Sequence, residues 1–92
     1  MTAPTGEHGI LGLSTPWARA AFPETDRRAV AELIPAGYTI GVSGHAHGGG
    51  RSFIVWAMGP DGPVAGLRWE HRHDPVNAAT RMAERLRELV AR

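Results

Sequence analysis

Apolar and polar positions along the chain divide it into a helical front, three strands and a long closing helix. Thr15-Pro16 is a helix start, with threonine as N-cap and proline at the first helical position, followed by a helical turn from Trp17 to Phe22. Pro23 restarts the pattern. Glu24 and Asp26 then occupy a first turn, where carboxylates suit the positive end of the helix dipole. Ala29, Val30, Leu33 and Ile34 make one apolar face, and Pro35 and Gly37 end the helix. From Tyr38 to Ser43 the chain alternates, with Tyr38, Ile40 and Val42 facing one way, as in a half-buried strand. Gly44 to Gly50 reads as a glycine-rich loop. Ser52 to Met58 is a continuous apolar run of the kind a central strand carries, and Val64 to His71 is a third strand after the turn Gly59-Pro60-Asp61-Gly62-Pro63.

Asp74-Pro75 opens the last helix. In it Val76, Ala79, Met82, Ala83, Leu86, Leu89 and Val90 recur at helical spacing, with Arg81, Glu84, Arg85, Arg87 and Glu88 outside. The expected fold is α+β: a three-stranded antiparallel β-meander with a preceding helical segment and a C-terminal amphipathic helix packed on one face, in the order α-β-β-β-α. Residues 1–13, rich in glycine and proline, are expected to form a flexible tail, with Ile10, Leu11 and Leu13 able to add an edge strand. Residues 14–92 form the single domain.

Turn parity sorts the strand faces. With Asp61-Gly62 as a two-residue loop, Met58 opposes Ala65, Trp56 opposes Leu67 and Ile54 opposes Trp69. Those six side chains are then the core face under the last helix. Phe53 and Val55 fall on the other face beside Arg68, an apolar patch expected to serve as an interface.

Ninety-two residues bury only about two-thirds of their unfolded surface, so a second copy would stabilise so small a core. The 42% hydrophobic content is that of a globular chain. With no cysteine, disulfides, thiolate metal sites and cysteine nucleophiles are excluded, and no apolar stretch reaches the length of a membrane helix. A cytoplasmic location is the expectation. All 10 basic residues are arginine, the signature of a GC-rich, bacterial-type genome, and 9 acids nearly cancel them. That balance argues against a dedicated nucleic-acid binder.

Candidate chemistry centres on two His-x-His pairs, His45/His47 and His71/His73. The first and third strands of a meander run in the same direction, which brings both pairs to one rim as a candidate zinc or nickel site. Against this, the central strand keeps them roughly 10 Å apart. The run Gly44 to Ser52 departs from a phosphate loop because His45 stands where a glycine is needed and a strand follows instead of a helix. Gly41-Val42-Ser43-Gly44 lacks the second spaced glycine of a hydrolase elbow. Ser43, His45, His73 and Asp74 make only a nominal triad, so an enzyme is not expected.

The α-β-β-β-α order resembles the double-stranded-RNA-binding domain, whose RNA-contacting helix starts where the last helix starts here. The stretch Asp74-Pro75-Val76-Asn77-Ala78-Ala79-Thr80-Arg81 lacks that family's basic cluster, and Gly-His-Ala-His replaces its Gly-Pro-x-His loop, so RNA binding is not carried over. The leading expectation is a non-enzymatic protein-binding or regulatory module, homodimeric, without cofactor. The alternatives are nucleic-acid or polyanion binding through Arg51, Arg72, Arg81 and Arg85, and metal binding through the four histidines.

Overall fold

A computed structural model describes residues 10–11, 16–71 and 73–91. The elements are β1 (Ile10–Leu11), α1 (Pro16–Ala21), α2 (Glu24–Ala31), β2 (Thr39–His47), β3 (Gly50–Gly59), β4 (Gly62–His71) and α3 (Pro75–Val90). Strands β2, β3 and β4 form the expected antiparallel meander, and helices precede and follow it, so the fold is α+β. The tail contributes more than expected. Ile10 and Leu11 pair in parallel with Ile40 and Gly41, and the crossover from β1 to β2 runs through α1 and α2. The expected cap of α1, Thr15, lies outside the described residues.

The last helix starts as its sequence dictates. Asp74 accepts a hydrogen bond from the Asn77 backbone N–H at 2.9 Å, and Pro75 occupies the first turn. Ala78, Ala79, Met82, Ala83 and Leu86 are buried against the sheet. Small alanines let the helix approach closely, and Met82 and Leu86 fill the space between. Complete burial of each of these two larger side chains contributes on the order of 1.5–3 kcal/mol.

Two sequence expectations about the strands are corrected. First, Gly44 to Gly50 is not a long loop: β2 continues to His47, β3 begins at Gly50, and only Gly48 and Gly49 turn the chain. Second, the sheet faces are exchanged. The β3–β4 hairpin closes with Gly59 opposite Gly62 and Met58 opposite Pro63, which keeps the expected parity. A bulge then sets the four residues Val64 to Leu67 of β4 against Ala57 alone. Gly66 sits in it at φ +80°, a left-handed conformation suited to glycine. The three extra residues flip parity, so beyond the bulge Trp56 opposes Arg68, Val55 opposes Trp69 and Ile54 opposes Glu70.

The core face therefore carries Ile40 and Val42 of β2, Phe53, Val55 and Ala57 of β3, and Trp69 of β4. The helices cover this face. Ala18, Phe22, Val30 and the buried side of α3 complete the core. Phe53 and Val55 are only 4% and 0% exposed, so they are core residues and not the interface expected of them. Among the described residues no helix is long and apolar enough to cross a membrane.

Candidate binding face

The face opposite the helices is the candidate surface, and the bulge decides which β4 residues it carries. Ile54, Trp56 and Met58 point to it from the central strand, Thr39, Gly41, Ser43 and His45 from β2, and Arg68 and Glu70 from β4. Local chemistry seats the large ring. A Cβ built on Gly41 would lie 2.1 Å from the Trp56 indole, so only glycine leaves room for the ring to rest on β2. Ile54, Trp56 and Met58 are each partly exposed.

A hollow of about 430 Å³ is open on this face, lined chiefly by Ile54, Trp56, Met58, Pro63, Val64 and Leu67. Its polar groups are few. Ser43 and His45 share a hydrogen bond, Oγ to Nε2 at 3.1 Å, on the β2 side. Arg68 stands on the β4 side, exposed, with no hydrogen bond or ion pair among the described residues. Of the expected interface set Phe53, Val55 and Arg68, only Arg68 faces the open side.

The histidines do not converge. His45 is level with Ser52 on the open face, whereas His71 is opposite Phe53 and so belongs to the helix side of the sheet. His71 Nδ1 accepts a hydrogen bond from the Asp74 backbone N–H at 3.1 Å, which ties it to the start of α3. His73 is exposed beside it, and the side chain of His47 lies outside the described set. No group of three metal-ligating side chains forms among the described residues. A zinc or nickel site built from both pairs would need side chains from opposite faces of one sheet.

The Ser43–His45 contact lacks an orienting third group among the described residues. Asp74 is committed to capping α3, and Glu70, level with Ser43 on the open face, is two strands away, roughly 10 Å. The contact forms a polar corner of the hollow.

The arginines expected to serve polyanion binding are also divided. Arg51 lies over the Trp17 ring, 4.6 Å from its centroid, on the helix side. Trp17 in turn meets Phe53 edge-on at 5.5 Å, beside Gly44, whose missing side chain admits the ring. Arg81 lines a separate groove with Trp69, His71 and Asn77. Arg85 is 3.8 Å from Glu88, one turn along α3. Arg72 lies outside the described residues. The arginine on the open face, Arg68, points away from Arg51 and Arg81.

The residues that define the open face, Ile54, Trp56 and Met58, are the ones turn parity assigns to the core. Two glycines mark the true arrangement: Gly66 within a strand is a bulge signal, and Gly41 within a strand signals close approach of a large group. Comparison of the chain with protein-family models, curated proteins and solved structures finds no match.

Proposed function

We propose that this chain is a cytoplasmic, non-enzymatic binding module that works through the open face of its sheet, and that its partner there is a second copy of itself. The observation carrying this reading is the row Ile54, Trp56 and Met58 on the sheet face opposite the helices. An aromatic and two flexible or branched aliphatic side chains around a hollow are the composition of an interface centre.

The edges of the sheet favour face-on over edge-on association. The edge of β4, which pairs with no further strand among the described residues, carries Pro63 and the Val64–Leu67 bulge, both of which obstruct strand addition. On the other side, β1 occupies part of the edge of β2. Strands of 9 or 10 residues, three abreast, give the face a footprint of roughly 30 by 15 Å. Allowing for side-chain relief, that approaches the roughly 600 Å² per partner of the smaller specific interfaces. A two-fold dimer would lay this face on its own copy.

Sedimentation velocity over roughly 1 to 500 µM, the range in which so modest an interface fills, is the test. A monomer–dimer equilibrium is expected, and Met58→Glu should shift it to monomer while circular dichroism stays unchanged. A wild-type chain that stays monomeric throughout, or a dimer unaffected by both Met58→Glu and Ile54→Glu, refutes the reading.

A further inference from the structure

From the hollow on the open face we infer a ligand: a small apolar carboxylate, an aromatic or short aliphatic acid, held with its charge on Arg68 and its body on Trp56, Ile54 and Met58, and enclosed by the second copy. This inference rests on the self-association proposed above.

Three observations lead to it. The first is volume. A cavity of about 430 Å³ falls within the range of small-molecule sites, and its lining is mostly apolar with a few polar groups at the sides. Laying a second sheet face over an unfilled hollow would forfeit packing contacts on both sides, because interiors approach crystal density and an empty apolar void loses its partners outright. A ligand body restores them.

The second is charge. Among the described residues Arg68 is the one formally charged member of the lining, and its guanidinium has no partner among them. Covering it with a second copy would desolvate a cation, which is costly unless an anion meets it. A carboxylate matches the guanidinium fork in two parallel hydrogen bonds.

The third is the opposite corner. Ser43 and His45 lie on β2, two strands from Arg68, so the hollow is polar at both sides and apolar in between. An acid whose body spans that width is accommodated with its polar end toward Arg68. The Trp56 ring, seated on Gly41, provides the flat surface on which an aromatic body can stack. Because the ligand contacts both copies, occupancy and dimerisation strengthen each other by linkage.

The probe is 2-naphthoate, with the uncharged 2-naphthalenemethanol as its control, measured by calorimetry on the full chain and by sedimentation velocity in parallel. Naphthoate should bind at least tenfold more tightly than the alcohol and raise the dimer fraction. Arg68→Gln, a change at an exposed position that leaves the fold intact, should erase the preference for the acid while still binding the alcohol. Equal binding of acid and alcohol overturns the inference. So does naphthoate binding that leaves the dimer fraction unmoved. A wild-type chain that dimerises yet binds neither compound overturns the ligand while leaving self-association standing; a chain that neither dimerises nor binds removes both.

Discussion

Replacing Val55 and Ile54 singly by alanine is the sharpest test of the exchanged sheet faces, since the two are neighbours on one strand and the two registers assign them opposite roles. Val55 is 0% exposed beneath the helices. Val55→Ala removes two carbons, about 1.6 kcal/mol of transfer free energy at about 0.8 kcal/mol each. If the surroundings do not relax, the void of roughly 50 Å³ adds about 1 kcal/mol. The expected loss is about 2.5 kcal/mol, or a fall in Tm of roughly 10–20 °C for a domain of this size. Ile54→Ala removes three carbons, but from a partly exposed site open to water. About half of its transfer term is at stake and no closed cavity forms, so roughly 1.2 kcal/mol is expected. Urea titration, read as a change in midpoint at constant slope, measures both, at a protein concentration low enough to leave the chain monomeric. A larger loss for Ile54→Ala than for Val55→Ala would put the Ile54 face beneath the helices and refute this assignment of the core.

Further expectations follow from the same geometry. Gly66→Ala forces a side chain into φ +80° and should cost about 1–2 kcal/mol by thermal denaturation, although nothing stands within 4 Å of the added carbon. Gly41→Ala places a methyl where the Trp56 ring rests; the ring must leave β2, with a cost of about 1–3 kcal/mol and a change in tryptophan fluorescence. Asp74→Ala strips the cap from α3 and should cost about 1 kcal/mol, whereas Asp74→Asn should recover most of it. Zinc titration should give no site that depends jointly on His45 and His71, because the two lie on opposite sheet faces; a shared high-affinity site lost in either alanine variant would contradict that placement.

The meander, its order and the closing helix are legible in the sequence because each rests on local chemistry. Alternation from Tyr38, the apolar run to Met58, the Gly59-to-Pro63 turn and the Asp74-Pro75 cap act within a few residues of themselves, although the two turning residues are Pro60 and Asp61 and not the expected Asp61 and Gly62. Strand β1 is legible only as an option. Two residues carry no periodicity, and pairing with Ile40 and Gly41 depends on the crossover that brings them there. The length of β2 is hidden by composition: Gly44, Gly48, Gly49 and Gly50 read as loop, yet only two of them turn the chain. Gly44 serves packing instead, leaving room for Trp17.

The candidate face is hidden for a different physical reason. Parity arguments carry a register outward from a turn, and they hold only while both strands advance residue for residue. The run Val64 to Leu67 breaks that condition, and its only outward mark is Gly66, a residue that weakens a strand unless a bulge requires it. An odd number of residues inserted in β4 moves the β4 side chains beyond it to the other face, so Trp69 lies beside Val55 under the helices instead of beside Ile54 on the open side. The same insertion brings Arg68 level with Trp56 on the open side. Unbroken pairing outward from Met58 and Pro63 would instead have set Arg68 opposite Phe53, on the helix side. The cation at the side of the hollow thus depends on one backbone irregularity in β4. Gly66 is therefore as much a determinant of the binding face as any residue that lines it, although it is not itself part of the lining.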